Sequence, residues 1–269
     1  MLFVLSPAKR LDFSAHPLAA EATRPRMTED TAQLAVATRR LTGPDIKRLM
    51  GLSDDLVKLN RARFQAFDAA ADGDLPAALA FAGDVYQGLK ARDLDPAAMT
   101  WAQGHLRILS GLYGVLRPLD AIQPYRLEMG TRLSTRRGRD LYAFWGDRIA
   151  RQLDADLAGQ VDGTIVNLAS EEYFGAVDRK ALKAPMVDVR FEDEKDGRRK
   201  VLSFFAKQAR GRMARWAIDA RIERASDLKG FEADGYRLDA SRSTDQALVF
   251  WRHQPPPVAQ QRQAALEKA

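Results

Sequence analysis

The sequence contains no cysteine and only three histidines, His16, His105 and His253, which lie far apart in the chain. The absence of cysteine excludes a disulfide framework, a thiol-based peroxidase, an iron–sulfur protein and a zinc site built from cysteine ligands. Three scattered histidines argue against a histidine-rich metal site. We therefore expect neither a resident metal nor a bound cofactor.

Long apolar runs and phosphate-binding signatures are also missing. The N-terminal run of residues 1–5 is too short for a signal-peptide core or a membrane span, and it is typical of a buried strand. The chain has no Walker-type phosphate loop, and the glycines of residues 83–88 have the wrong spacing for a dinucleotide fingerprint. These absences predict a cytoplasmic protein.

The charge is mildly basic, with 42 Lys+Arg against 36 Asp+Glu and a net charge of +6. Basic proteins favour anionic partners such as nucleic acid, nucleotides or phosphorylated metabolites. Arginine outnumbers lysine 31 to 11. A GC-rich genome explains that ratio equally well, so both interpretations stay open.

The pattern of elements predicts a mixed α/β fold, with a mixed sheet surrounded by helices in one domain, residues 1–252. A Pro/Gln-rich tail, residues 253–269, is expected to be disordered, and we favour a monomer. An Asp196-Gly197 pair is the strongest hairpin signal in the chain. We predict strands at 1–5, 77–81, 106–110, 164–168, 187–191, 201–204, near 236 and at 248–251, an ordered loop at 111–138, and helices at 28–40, on both sides of Gly51, at 84–91, 96–105, 140–157 and 205–222.

The first candidate site is the junction Gly51-Leu52-Ser53 between two predicted helices. This pattern is typical of a helix-hairpin-helix, in which backbone N–H groups meet a DNA phosphate. Residues 39–63 hold seven basic and three acidic side chains, a local net of +4. Ser53 replaces the usual second glycine and Asp54-Asp55 follow it, so a plain capped pair of helices is the alternative. The basic residues that we assign to DNA here are Lys58, Arg61 and Arg63.

The second candidate is the predicted helix 205–222, which contains Arg210 and Arg212. Residues 198–224 hold nine basic and two acidic side chains, a net of +7, which exceeds that of the whole chain. An anion-binding surface for a phosphate backbone explains this excess. A solvated amphipathic helix with snorkelling arginines explains it as well.

The third candidate is the loop 109–130, which is rich in glycine, proline and aromatic residues. Tyr125, Arg126 and Glu128 bring a phenol, a cation and a carboxylate within four residues, which is the equipment of an active site or nucleotide pocket. A structural Arg–Glu pair inside a buried loop is the alternative. In residues 167–174 a strand leads into a helix that Ser170 is expected to cap, at the strand end where α/β folds place ligands.

Several motifs together resemble the YaaA family of bacterial peroxide-stress proteins, and the match runs in order over residues 1–252. One family feature is altered, because Arg10 stands where the first motif usually has threonine. The motifs that carry the resemblance are Ser6-Pro7-Ala8-Lys9 with Leu11-Asp12, Gly83-Asp84-Val85-Tyr86, residues 109–120 and 124–130, Leu141-Tyr142, Phe144-Trp145-Gly146-Asp147, Asn167-Leu168-Ala169-Ser170, Glu172-Tyr173-Phe174 and Ala209-Arg210-Gly211.

The resemblance implies a cytosolic protein that protects DNA and protein during peroxide stress and is associated with low intracellular iron. It also implies DNA binding through a helix-hairpin-helix and a basic cleft, on a single-domain fold described as cantaloupe-like. No reaction follows from it.

Two functional hypotheses result. The first is a DNA-binding stress protein that contacts duplex or branched DNA with little sequence preference, through Gly51, Leu52, Ser53, Lys58, Arg61, Arg63, Arg210 and Arg212. The rival is an enzyme acting on a nucleobase or nucleotide, which fails if the Lys9 amine and the Glu128 carboxylate lie far apart. Its pocket candidates are Lys9, Asp12, Tyr125, Arg126, Glu128 and Lys207. An iron-binding protein is disfavoured by the lack of suitable ligands.

Overall fold

The computed structural model describes residues 1–16 and 21–255. In this part of the chain the strands are β1 (Leu2–Leu5), β2 (Leu75–Pro76), β3 (Leu106–Ser110), β4 (Gly114–Leu116), β5 (Ala121–Ile122), β6 (Ile165–Asn167), β7 (Met186–Lys195), β8 (Arg198–Lys200), β9 (Arg237–Leu238) and β10 (Ala247–His253). The helices are α1 (Thr28–Arg39), α2 (Gly43–Met50), α3 (Asp54–Ala66), α4 (Ala77–Ala80), α5 (Asp84–Leu89), α6 (Pro96–His105), α7 (Leu141–Trp145), α8 (Arg148–Asp156), α9 (Glu171–Phe174) and α10 (Ser203–Asp219).

A mixed sheet of eight strands, flanked by helices, forms the centre of the fold. Its order is β4-β3-β1-β6-β7-β10-β9, and β8 pairs with β7. The five inner strands β3, β1, β6, β7 and β10 are parallel, whereas β4, β8 and β9 run antiparallel to their partners. The chain passes from β1 to β3 on one side and from β6 to β7 on the other. The order therefore reverses between β1 and β6.

The first strand lies at the middle of the main hydrophobic core. All four residues of β1 are buried, as expected for an apolar strand in a parallel sheet that is covered on both faces. The same core holds five of the seven methionines: Met1, Met27, Met99, Met129 and Met213.

Most of the predicted elements are confirmed. Helix α1 begins at Thr28, α6 covers the predicted range, and β1 and β3 lie where the apolar runs predicted strands. The hairpin between β7 and β8 turns at Asp196-Gly197, where both residues have positive φ, 53° and 74°. That geometry is the reason why the Asp-Gly pair predicts a two-residue hairpin turn.

Four predictions were wrong in detail. Residues 201–204 do not form a strand, because β8 ends at Lys200 and α10 begins at Ser203. Residues 77–80 form the helical turn α4 instead of a strand, in keeping with the helix propensity of Ala-Ala-Leu-Ala. The predicted helix 140–157 is broken into α7 and α8 at Gly146, whose φ of +50° suits glycine. The loop 111–138 contains the short strands β4 and β5.

The predicted tail is reached only in part by the described residues. His253 still belongs to β10, and its ring contacts the Glu194 carboxylate. Residues 256–269 of the predicted tail lie outside the described residues. None of the helices within 1–16 and 21–255 is both long and apolar enough to cross a membrane.

The helices α2 and α3 form a hairpin with a small hydrophobic cluster of its own, separate from the main core. Its buried members are Ile46, Leu52, Val57 and Phe64. Thr42 begins α2 with a capping box, in which its hydroxyl accepts from the Asp45 amide and the Asp45 carboxylate accepts from the Thr42 amide. The hairpin therefore carries its own stabilising contacts.

Candidate functional site

Two loops meet at the carboxyl edge of the sheet, where the strand order reverses. Ser6 follows β1, and Ser170 comes three residues after β6. The Ser6 hydroxyl donates to Ser170 Oγ at 3.2 Å and accepts from the Ser170 amide at 2.9 Å. Crevices at such reversal points are the usual ligand sites of open α/β sheets. The two serines thus hold the walls of a crevice together.

A cavity of about 380 Å³ opens at this crevice, which is within the size range of small-molecule sites. We name it the switch-point cavity. Four cationic and two acidic side chains line it, so its surroundings favour an anion. The charged lining residues are Lys9, Arg10, Asp84, Glu172, Lys207 and Arg210.

Lys9, Arg126 and Glu128 meet beside the cavity. The Lys9 amine lies 2.6 Å from Glu128 Oε2, and the Arg126 guanidinium donates to Oε1 at 2.9 and 3.1 Å. The Arg126–Glu128 pair is the structural alternative foreseen for this loop, but Lys9 joins it. The Lys9 amine and the Glu128 carboxylate are therefore close together, as the pocket hypothesis requires.

A close contact between α5 and α10 fixes the wall of the switch-point cavity that these two helices form. A Cβ on Gly88 would lie 2.2 Å from the carbonyl oxygen of Gln208, and one on Gly211 would lie 1.8 Å from that of Val85. Glycine is required at both positions because the two backbones nearly touch. This contact brings Lys207 Nζ to 3.8 Å from the Asp84 carboxylate.

Arg210 lies on a boundary between two cavities. It lines the switch-point cavity and also a wider cavity of about 940 Å³, which is bordered by α9 and β7. Among the described residues, Arg210 has no ion pair or hydrogen bond. Burial lowers the pKa of Arg210, and the nearby Glu171 carboxylate opposes this effect. The side chain remains a cation, since an arginine pKa stays far above neutrality.

Four predicted pocket residues lie outside the lining of the switch-point cavity: Arg126 and Glu128, which contact Lys9 beside it, and Tyr125 and Asp12. Tyr125 is buried, its hydroxyl is 2.6 Å from Ser110 Oγ, and burial raises the pKa of the phenol well above its usual value. Asp12 lines a neighbouring shallow cavity together with Arg92. Hydrogen bonds from Ser14, together with Arg92 and Arg10, hold the Asp12 pKa below its usual value.

Part of the positive charge counted around α10 is neutralised by acids from other parts of the chain. Arg212 pairs with Asp234 and Arg199 pairs with Asp239, whereas Arg215 pairs at 2.9 Å with Asp219 of the same helix, which the count already includes. The structure therefore separates the two α10 residues that we assigned to DNA. Arg210 is directed to the cavities and Arg212 is held in an ion pair. Their contact with DNA stays a prediction.

The hairpin presents the other predicted DNA residues. Gly51 ends α2 with φ +62°, and a Cβ added there would have no atom within 4 Å, so its backbone is open to solvent. Lys58 and Arg61 are exposed, and no ion pair involves them within the described residues. Partial burial and the neighbouring charge of Arg126 lower the pKa of Arg63.

Ser53 begins α3 without a side-chain cap hydrogen bond, although the sequence suggested that it caps the helix. Asp54, which was expected to repel a phosphate, lies 2.7 Å from the Lys47 amine. Leu52 is buried in the hairpin's own cluster. Among the described residues, no three His, Cys, Asp or Glu side chains are grouped so that they could hold a metal ion.

Comparison with known proteins fits this arrangement of motifs. A family model described as "Peroxide stress protein YaaA" matches residues 1–242. The chain belongs to this family. It is similar to UPF0246 proteins of Phenylobacterium zucineum (62% identical, covering 97% of this chain and 98% of the relative) and Caulobacter vibrioides (58%, covering 95% and 100%). A UPF0246 protein of an Azoarcus species is 52% identical, covering 94% and 100%.

In this YaaA family member several of the motifs that carried the resemblance converge on one place. Ser6–Lys9, Gly83–Val85, Glu172-Tyr173 and Arg210 all line the switch-point cavity. Sequence reasoning missed Asp84 and the Ser6–Ser170 contact as parts of the site. For the two serines the signal is that each follows a predicted strand, 1–5 or 164–168, whereas Asp84 follows residues 77–81, which were predicted as a strand and form a helical turn.

Proposed function

We propose that this YaaA family protein binds DNA during the peroxide stress response and so limits DNA damage. The observation that supports this most is the pair of exposed cations on the hairpin, Lys58 and Arg61, which form no ion pair within the described residues. The proposal places the protein in the cytoplasm as a monomer and includes the lowering of intracellular iron that the resemblance implies.

The hairpin has the properties that phosphate binding needs. The cations of Lys58 and Arg61 are exposed, so they can contact a phosphate without giving up a partner. The start of α3 offers N–H groups near the same surface, and the missing side chain of Gly51 leaves room for a phosphate to approach them. Lys47 offsets the charge of Asp54 that would repel the phosphate.

The experiment is fluorescence anisotropy of a labelled duplex and a four-way junction at 50 and 200 mM salt. Counterion release predicts a loss of affinity of about tenfold or more over this range. The variant Lys58→Glu/Arg61→Glu is expected to bind about tenfold more weakly at 50 mM salt. The matched control is Arg224→Glu/Lys229→Glu, which makes the same charge change far from the hairpin in the chain and is expected to bind like the wild type.

Two results contradict the proposal. Binding that is insensitive to salt would exclude phosphate neutralisation as its source. An equal loss in both double variants would show that net charge, and not the hairpin, determines affinity.

The alternative function is an enzyme that acts on a nucleobase or nucleotide in the switch-point cavity. The 2.6 Å contact between the Lys9 amine and Glu128 favours it, because an amine beside a carboxylate can exchange a proton during a reaction. Its test is to incubate the protein with nucleosides and nucleotides and to search for products by mass spectrometry. A product that disappears with Lys9→Met but persists with Lys90→Met supports the enzyme.

A further inference from the structure

Arg210 was assigned to DNA from its sequence context, but its place in the fold favours another ligand. It lies on α10 and lines both cavities. A partly buried guanidinium without a carboxylate or hydrogen-bond partner is costly, and an anionic ligand would remove that cost. Glu171 is the acid that faces it, and no ion pair forms between them within the described residues.

The short segment at α9 divides the two cavities, because alternate residues face opposite sides. Ala169 and Glu171 line the wider cavity, whereas Ser170 and Glu172 line the switch-point cavity. Arg210 completes the boundary from the direction of α10. A ligand whose anionic group is bound by Arg210 can therefore extend into either cavity.

Cations line the cavities on both sides of Arg210, with Arg179, Lys180 and Arg190 in the wider one. Lys207 comes one helical turn before Arg210, and its amine, 3.8 Å from Asp84, adds positive charge to the switch-point cavity. The wider cavity combines the aromatic ring of Phe174 with the side chains of Asn167 and Asp188. Arg179 lies over the Phe174 ring, 5.3 Å from its centre. Cationic groups in both cavities, together with the aromatic and hydrogen-bonding wall of the wider one, suit an organic phosphate with a planar base.

We propose that the two cavities form one binding site for a nucleoside monophosphate. Arg210 and Lys207 hold the phosphate, and the wider cavity takes the nucleoside. This inference deepens the alternative function and rests on the same switch-point cavity, but it concerns binding and assigns no reaction.

The test is isothermal titration of the full chain with AMP, GMP, CMP and UMP, with the matching nucleosides and with inorganic phosphate. At least one monophosphate is expected to bind about tenfold or more tightly than its nucleoside, because a charge-assisted contact is worth about 1.5–3 kcal/mol. Arg210→Gln and Lys207→Gln are expected to remove that difference. Arg215→Gln, on the same helix but paired with Asp219, is the matched control and is expected to bind like the wild type.

Arg210→Lys serves as a second variant, which keeps the charge without the planar fork and is expected to bind at an intermediate level. The unfolding midpoint of each variant is measured alongside. If Arg210→Gln does not fold, the Lys207→Gln and Arg210→Lys titrations still decide the question.

The phosphate that meets Arg210 has two sources, a free nucleotide or a DNA backbone, and the same variants distinguish them. Loss of DNA binding in Arg210→Gln, with no binding of any monophosphate, would overturn the inference and assign Arg210 to DNA. Equal titration curves for wild type and Arg210→Gln would overturn it as well. Nucleotide binding without turnover would leave the inference in place and remove the proposed enzyme.

Discussion

The α2–α3 hairpin and the body of the molecule hold their charges in opposite ways. In the hairpin, Lys47 and Asp54 pair in solvent, with side chains 58% and 76% exposed. In the body, Asp156 accepts hydrogen bonds from Arg26 and Arg107, and the side chains of Asp156 and Arg107 are 3% and 5% exposed. Exposed pairs exchange partners at little cost, whereas a buried pair is part of the structure. The hairpin is therefore suited to meeting an external anion, and the buried charges serve the fold.

The largest expected effect comes from removing the buried carboxylate. Asp156→Asn leaves Arg107 buried without its counter-ion and should lower the free energy of unfolding by about 3–5 kcal/mol. Asp54→Asn breaks an exposed pair and should leave the unfolding midpoint unchanged within error. Urea unfolding followed by circular dichroism measures both. Equal losses of unfolding free energy in the two variants would show that the buried and the exposed ion pair contribute alike to stability.

The pH dependence of stability gives a second test of the buried Asp156–Arg107 pair. Burial alone would raise the pKa of Asp156, but Arg26 and Arg107 outweigh it and hold this pKa below its usual value. A lowered native pKa gives stability that is present above the unfolded value of about 4 and is lost as the pH falls through the native value. The stability difference between wild type and Asp156→Asn should shrink below about pH 4. A difference that grows on acidification would contradict this sign.

The next effect concerns the wall of the cavity. Gly211→Ala would force α5 and α10 apart and should lower the free energy of unfolding by about 1–3 kcal/mol. It should also weaken ligand binding in the switch-point cavity. Gly104→Ala, in α6, places its Cβ where no atom lies within 4 Å, and it should be neutral or slightly stabilising. Thermal unfolding compares the two substitutions. A stable Gly211→Ala protein would show that the helix contact is more tolerant than its geometry implies.

The smallest effect belongs to the hairpin. Thr42→Ala removes a capping box and should cost about 1 kcal/mol, while Ser53→Ala removes a hydroxyl that makes no cap hydrogen bond and should cost clearly less. Hydrogen exchange at the amides of α2 and α3 reports the loss locally. Since the hairpin has its own hydrophobic cluster, the cavity should bind its ligand unchanged in both variants.

The elements were predicted wherever local chemistry determines them. The apolar run of β1, the Asp196-Gly197 turn and the proline at the start of α6 each fix an element through neighbouring residues. Gly146 was missed as a break because its positive φ depends on the surrounding packing. Strand order was not predictable, because pairing between β1, β3 and β6 joins residues that are more than fifty positions apart.

The candidate site was predictable in its parts but not as an assembly. Lys9 and Glu128 were named together, and the structure brings them into contact. The charge excess around α10 was overestimated, because Asp234 and Asp239 are distant in sequence from the arginines they neutralise. Counting charges along a chain fails whenever the fold supplies the counter-ions from elsewhere.

The placement of the methionines in the core has a consequence for chemical durability. Thioethers are oxidised to sulfoxides by peroxide, and the chain offers no thiol that would react first. Five of the seven methionine sulfurs belong to residues buried in the main core, and only Met50 and Met186 are partly exposed. An oxidant that meets the folded protein therefore finds two partly exposed methionine residues, so the fold itself shields the other five thioethers of this stress protein from peroxide.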